Sequence, residues 1–189
     1  MSAPVAPKVP HTWSRPSGPV DDPWAWLLDR ENPDTIAYLE AENAHSRAWF
    51  AQRQASVDTV FAEIKRRVQE TDLAAPVFHG GWWYATRTEE GANYPIHCRG
   101  RSASQATEHV ILDENVEAGD LDYFALGVSE LNHDHTLLAW SADNDGSEKY
   151  TLHIRDLTSG TDLADELTDT TWAGAAWSAD HQKIGRAHV

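Results

Sequence analysis

Residues 82–99 of the chain read Trp-Trp-Tyr-Ala-Thr-Arg-Thr-Glu-Glu-Gly-Ala-Asn-Tyr-Pro-Ile-His-Cys-Arg. The pair Glu90-Gly91 in the middle predicts a tight turn, so the stretch is interpreted as a β-hairpin. Its last six residues are echoed 56 positions later by Tyr-Thr-Leu-His-Ile-Arg at 150–155. The turn glycines of the two copies, Gly91 and Gly146, are 55 positions apart. The hairpin is therefore one copy of a repeating unit.

A third echo extends the repeat toward the end of the chain. Trp-Ser-Ala-Asp-His at 177–181 follows Leu-Asn-His-Asp-His at 131–135 by 46 positions. Strand-rich units that recur every 46–56 residues are typical of propeller blades, which bury their faces only against neighbouring blades. The chain holds about two and a half such units, whereas a closed propeller needs at least ~4 blades. We therefore predict an α+β fragment: an N-terminal helical arm, then the first two to two and a half blades of an incomplete β-propeller.

The composition is globular, and its charge excludes several kinds of partner. Among 189 residues, 41% are hydrophobic and nine are Trp, which in β-rich proteins usually fill the space between sheets. The net charge of −15 disfavours nucleic acid and anionic membranes, both of which need a basic surface. An acidic surface can attract cationic peptides, although most such surfaces simply aid solubility.

Several features favour a cytoplasmic location. Cys98 is the single cysteine, so an internal disulfide is excluded and a reducing compartment is indicated. The proline-rich start, residues 1–18, has no apolar run and no cleavage signature of a secretory signal. We find no apolar stretch that approaches the ~20 residues of a membrane-spanning helix.

Residues 1–75 are predicted to form an extended and helical arm. Asp22-Pro23 and Asn32-Pro33 are both typical helix starts, with a capping side chain followed by proline. A third helix is predicted from an apolar stripe at helical spacing, and Ser56 can cap it. Such a stripe must pack against another surface. Its members are Val57, Val60, Phe61, Ile64 and Val68.

Residues 76–183 are predicted to form the partial propeller. Residues 113–120 are assigned to a loop, and a third unit begins at Thr171-Trp172. In the strand at 150–155, Tyr150, Leu152 and Ile154 share one face, as expected of a half-buried strand. The predicted strands are 77–79, 82–88, 94–99, 109–112, 124–131, 137–141, 150–157 and 161–167.

Residues 184–189 are expected to be a non-native tail. They read Ile-Gly-Arg-Ala-His-Val, which the codons ATC GGA AGA GCA CAC GTC encode. With a preceding AG, those codons match a widely used sequencing-adaptor oligonucleotide. We interpret the segment as adaptor-encoded, and recovery of the same codons and a stop from genomic DNA would refute this.

No cluster in the sequence predicts an active site, a cofactor site or a metal site. The segments 132–135 and 143–148 contain metal-ligand residue types, but their spacing favours tight turns between strands. His97 and Cys98 are adjacent in a strand, where neighbouring side chains point to opposite faces, so they are not interpreted as a catalytic pair. The acidic pair Asp21-Asp22 is explained by capping. Neither a Gly-x-Ser-x-Gly elbow nor a phosphate-binding loop is present.

The chain resembles the prolyl oligopeptidase family of serine peptidases over residues 20–183, and within it the oligopeptidase B branch. The first helical motif is shared across that family, whereas the Tyr-Pro-Ile-His-Cys-Arg hairpin is closer to the branch. Trp24 stands where Tyr is more usual. The segments that carry the resemblance are 20–27, 38–43, 70–72, 81–84, 87–91, 94–99, 112–115 and 123–127.

This resemblance implies a larger enzyme. The family has an α/β-hydrolase domain with a Ser-Asp-His triad, capped by a seven-bladed propeller that restricts entry to short peptides. The branch cleaves after Lys or Arg. The triad lies in the C-terminal domain, so no catalytic residue is assigned here, and residues 1–75 are expected to pack on that absent domain. The alternative is a propeller-type binding module without a catalytic domain.

The chain alone is expected to be inactive, to fold poorly and to associate. Its last strand lacks a partner, and the missing neighbour is expected to leave residues such as Trp140 and Tyr150, or their blade-facing counterparts, exposed.

Overall fold

The structure, a computed structural model, describes residues 2–171, 174–180 and 183–186, with only the backbone at 186. The chain divides into two compact units, residues 1–68 and 69–189. The sequence-based boundary at 75/76 falls later, because residues 72–73 already form a strand of the second unit. Residues 172, 181 and 187–189, which carry parts of the predicted third unit and tail, lie outside the described residues.

The first unit begins with an antiparallel hairpin and continues into two helices. Asn32 caps α1 by accepting a hydrogen bond from the Asp34 amide at 2.9 Å, which confirms the predicted helix start. The start predicted at Asp22-Pro23 gives only a short 3-10 turn at Ala25–Leu28. The Ser56 cap was wrong, since α2 begins at Gln54 and no side chain caps it. The elements are β1 (Thr12–Arg15), β2 (Gly18–Asp21), α1 (Pro33–Ala51) and α2 (Gln54–Lys65).

The second unit begins with an antiparallel sheet of five strands, called the first sheet. Its strands β3 and β4 both pair with β5, so they act together as one interrupted strand. The strands predicted at 77–79 and 82–88 are confirmed. The loop assigned to 113–120 was wrong, because Asp113 caps the short helix α3. The elements are β3 (Asp72–Leu73), β4 (Val77–His79), β5 (Trp82–Thr88), β6 (Ile96–Gly100), β7 (His109–Asp113) and α3 (Glu114–Ala118).

The second sheet has four antiparallel strands in the sequential order β8-β9-β10-β11. Its third strand, β10, and β6 of the first sheet are the two segments that echo each other at a spacing of 56. A further pair, β12-β13, forms the third sheet, and β12 contacts β8. The number of blades stays a prediction. The strands are β8 (Ala125–Leu131), β9 (Leu137–Asp143), β10 (Tyr150–Asp156), β11 (Thr161–Thr170), β12 (Ala175–Trp177) and β13 (Ile184–Arg186).

The core of the second unit is formed by residues from both sheets. Trp140 and Tyr150 are buried, so the expectation that they are exposed was wrong. Trp140 stacks on His153 within its own sheet, with ring centroids 4.7 Å apart, and Tyr150 fills the space that Gly127 leaves by lacking a side chain. The central residues are Leu112, Ala118, Phe124, Leu138, Trp140 and Ala142.

Candidate functional site

The seam where the first and second sheets meet is held by a buried arginine. Arg99 lies near the end of β6 and is 7% exposed. Its Nη1 donates to the carbonyl oxygen of His135 at 2.5 Å, and its Nη2 donates to that of Leu157 at 3.3 Å. The guanidinium also lies 4.0 Å from the centre of the Trp82 ring. Arg99 therefore connects two main-chain carbonyls of the second-sheet region to the first sheet.

A histidine crosses the same seam in the opposite direction. The turn between β8 and β9 is fixed by Asn132, whose Oδ1 accepts hydrogen bonds from the amides of Thr136 and Leu137, both at 2.9 Å. The turn places His135 in the left-handed region, with φ of 56°. Its imidazole is buried, and Nδ1 lies 2.6 Å from the hydroxyl of Tyr84.

The imidazole of His135 fits closely against the first sheet. A Cβ atom built on Gly80 would lie 1.8 Å from its Nε2 atom, so only glycine leaves room for it. The ring of His79 lies edge-on at 4.7 Å. Burial lowers the pKa of His135, and the nearby His79 lowers that pKa further. The seam is thus closely packed and contains a histidine that is difficult to protonate.

A cavity of about 270 Å³ lies between the sheets and is lined by residues from both. Cys98 contributes from the first sheet, and Leu131 and Leu138 contribute from the second. Cys98 is 1% exposed, and burial raises the pKa of its thiol. The geometry suits a structural cysteine rather than an activated nucleophile.

An acid–histidine pair lies beside this cavity and was missed from sequence. Nε2 of His97 lies 2.7 Å from Oε1 of Glu114, whose side chain is buried at the start of α3. The available signal was Asp113 followed by acidic residues at 114 and 117, a pattern typical of a helix N-terminus. The adjacent Cys98 instead places its sulfur 3.9 Å from the carbonyl oxygen of Ile96.

The segment 143–148 forms a turn around one carboxylate. Asp143 is fully buried and accepts three main-chain N–H bonds, from Asp145 at 3.0 Å and from Gly146 and Glu148 at 2.9 Å each. Both carboxylate oxygens of Asp143 thus accept hydrogen bonds from the main chain of the same turn. Across the described ranges, no three His, Cys, Asp or Glu side chains gather in a way that could hold a metal ion.

The first unit presents an apolar groove of about 430 Å³ on the two helices. On α2, Val57, Val60, Phe61 and Ile64 are all exposed, and Phe61 is 65% exposed. The predicted apolar stripe is therefore open to solvent, but its fifth member, Val68, lies beyond the end of α2 at Lys65. Within the part of the chain that the structure describes, no helix has the length and apolar character to cross a membrane. The groove is lined by Trp49, Phe50, Arg53, Ser56, Val57, Val60, Phe61 and Ile64.

Comparison with known proteins places these features in a family. The family model described as prolyl oligopeptidase, N-terminal beta-propeller domain, matches residues 4–184. Protease 2 of Moraxella lacunata is 33% identical over 172 residues, which cover 88% of this chain and 25% of that protein. Dipeptidyl aminopeptidase BI of Pseudoxanthomonas mexicana is 32% identical over 199 residues, covering 96% of this chain and 27% of that protein. The chain thus spans about a quarter of the length of these relatives.

Solved structures agree with the sequence comparison. Oligopeptidase B from Leishmania major superposes with a TM-score of 0.82 at 27% identity, covering 97% of this chain and 28% of that structure. Oligopeptidase B from Trypanosoma brucei, solved with covalently bound antipain, gives a TM-score of 0.77 at 26% identity, covering 93% of this chain and 27% of that structure. The resemblance based on the hairpin at 82–99 is confirmed, and the chain belongs to the prolyl oligopeptidase family of serine peptidases, of which it matches the N-terminal β-propeller domain.

Proposed function

We propose that this chain is the N-terminal part of a serine oligopeptidase that hydrolyses short peptides after Lys or Arg. The observation that carries the proposal is the similarity to Protease 2 and to oligopeptidase B, which extends over nearly the whole chain. The net charge of −15 supports a preference for basic peptides, because an acidic surface raises their local concentration. The propeller restricts substrate size, and Ser, Asp and His of the hydrolase domain carry the chemistry.

The specificity is tested on the full-length gene product. Its hydrolysis of amides that end in Arg or Lys is compared with that of a prolyl amide and of a dipeptidyl amide, because relatives include a dipeptidyl aminopeptidase and prolyl endopeptidases. Preferential cleavage after Arg and Lys is expected. Cleavage confined to the prolyl or the dipeptidyl substrate would reject the proposed specificity. A gene that continues only into further blades and then stops would favour the binding module.

The apolar groove is proposed as the surface on which the hydrolase domain packs in cis. Burying a side chain such as Phe61 contributes roughly 1.5–3 kcal/mol, so four exposed apolar side chains on one helical face represent a large interface energy. In the full-length enzyme, Phe61→Asp is expected to lower the midpoint of thermal unfolding. Ala62→Asp adds the same charge on the opposite face of α2 and serves as the matched control. Equal effects of the two substitutions would contradict packing at the groove.

The proposed location is cytoplasmic and rests on the single Cys98, which suits a reducing compartment. No partner of nucleic acid or anionic membrane is proposed, because the chain carries 30 acidic against 15 basic residues.

A further inference from the structure

The contacts of His135 connect the second sheet to the first sheet. The imidazole belongs to the second sheet but lies over Gly80 of the first, where even a methyl group would collide with it. Its Nδ1 bonds to Tyr84 at 2.6 Å, and its carbonyl oxygen accepts from Arg99. The ring thus contacts the first sheet at Gly80, His79 and Tyr84, so a rearrangement of the ring is expected to disturb the packing of the two sheets on each other.

The surroundings of the ring disfavour a positive charge. His79 faces it from the end of β4, Tyr84 from β5 and Arg99 from β6, while His133 and Asp134 belong to its own turn. Among these five groups, Asp134 is the anion that would favour protonation. Arg99 is a permanent cation and is held directly to the main chain of His135.

We propose that the seam between the first and second sheets is an acid-sensitive latch, in which protonation of His135 parts the two sheets and opens the cavity that contains Cys98. The proposal concerns the propeller domain itself and does not depend on which peptides the full-length enzyme cleaves.

The direction of the pH effect follows from linkage. Burial, followed by the nearby His79, lowers the pKa of His135 in the closed seam below its value of about 6.5 in an exposed histidine. The open form therefore binds the proton more tightly than the closed form. The stability of the closed seam is fully present above about pH 6.5 and is lost as the pH falls toward the lower pKa of the closed form.

The chain contains its own reporter of opening. Cys98 is the single thiol of the sequence, is 1% exposed, and lines the same cavity as Tyr84, the residue that bonds to His135. The rate at which Cys98 reacts with a dipyridyl disulfide is divided by the rate at which glutathione reacts with the same reagent at the same pH. This ratio measures seam opening, because the division removes the intrinsic pH dependence of the thiol reaction. Between about pH 7.5 and about pH 5.5 this ratio is expected to rise by up to about tenfold, since an exposed histidine is about tenfold more protonated than neutral at the lower pH.

Two variants distinguish the contribution of His135 to the pH dependence from that of the neighbouring His79. His135→Gln keeps a hydrogen-bonding side chain that cannot be protonated, so the ratio is expected to become independent of pH. His79→Gln leaves the latch histidine in place and is expected to retain the rise. If His135→Gln does not fold, a second test uses the unsubstituted chain, in which the histidine ring signals are titrated by NMR. The ring signal of His135, the histidine bonded to Tyr84, must then change over the same pH range as the labelling ratio.

The outcomes are distinguishable. A ratio that does not change with pH in the unsubstituted chain overturns the latch, as does a rise that persists in His135→Gln or disappears in His79→Gln. A rise accompanied by loss of the circular dichroism signal also overturns it, because the whole unit then unfolds. A rise in ratio at constant circular dichroism, removed by His135→Gln alone, supports the latch.

Discussion

The hydroxyl of Tyr84 and Nδ1 of His135 lie 2.6 Å apart although 51 positions separate the two residues in the chain. Tyr84 is a residue of the strand β5, whereas His135 ends a turn of the second sheet. The bond therefore joins two sheets that share no β-ladder. Sheets of repeating units are stabilised by contact with neighbouring sheets, and here a side chain from a turn contributes to that contact.

Gly80→Ala tests the fit of His135 against the first sheet. We expect it to lower the free energy of unfolding by about 1–3 kcal/mol more than Gly81→Ala does, which is the usual range for overpacking. Both glycines have positive φ, 55° and 83°, so both substitutions strain the backbone. A Cβ atom at Gly81, however, meets no atom within 4 Å. Urea unfolding of the two variants measures the difference, and equal losses would mean that the contact contributes nothing.

Arg99→Lys is expected to destabilise the second unit by roughly 1–3 kcal/mol, because lysine cannot reach two carbonyl oxygens with a planar group. Arg101→Lys is the matched control. Arg101 also lies over the Trp82 ring, at 3.3 Å, but it is exposed. The free energies of unfolding of the two variants are compared by denaturant titration, monitored by Trp fluorescence. If Arg101→Lys is as destabilised as Arg99→Lys, the loss of stability comes from the contact with the Trp82 ring and not from the hydrogen bonds to the two carbonyl oxygens.

The 189-residue chain alone is expected to associate through the apolar groove. Phe61 and Ile64 are 65% and 59% exposed, and a second copy can cover them. Size-exclusion chromatography over a range of concentrations tests this. Phe61→Asp should shift the chain toward the monomer, whereas Ala62→Asp should not. A monodisperse monomer at every concentration would show that the groove is stable in water.

The same chain is expected to show no peptidase activity. Acceleration of peptide hydrolysis depends on the nucleophile, the base and the oxyanion hole, which the proposal assigns to the hydrolase domain. Hydrolysis of an arginyl amide by the purified chain is the assay, with the full-length enzyme as the positive control. Turnover that co-purifies with the chain and is blocked by a serine-directed reagent would refute this expectation.

Most strands of the first and second sheets could be predicted from sequence because local signals were sufficient there, whereas β1, β2 and β3 were missed. Glycine turns at 80–81 and 91 bracket β5, and its predicted limits, 82–88, are those observed. The helix α3 was missed because it is only five residues long, too short for an apolar periodicity to be visible. The start of α2 was placed late, since Ser56 is a typical capping residue but lies inside the helix.

The seam could not be predicted in the same way. The residues 132–135 were correctly interpreted as a turn, yet nothing in their spacing indicates that His135 meets Gly80 and Tyr84. That contact depends on how one sheet packs on the next, which is a relationship between distant segments. The burial of Trp140 was missed for a related reason: besides stacking on His153, it belongs to a core that residues of the first-sheet region, Leu112 and Ala118, help to form.

The carboxylate of Asp143 has a consequence for how this hairpin tolerates change. Three amides between positions 145 and 148 converge on its two oxygens, and the Ser147 amide donates to Oδ1 of Asp145, so the path of the main chain depends mainly on one side chain from outside the tip. The side chains of Asn144 and Ser147 accept none of these bonds, whereas Gly146 and Glu148 have positive φ, 79° and 61°, which restricts the residues that fit there. An added or deleted residue between 143 and 148, by contrast, would move the amides out of reach. We therefore expect substitutions at 144 and 147 to be better tolerated than any change in the length of the tip.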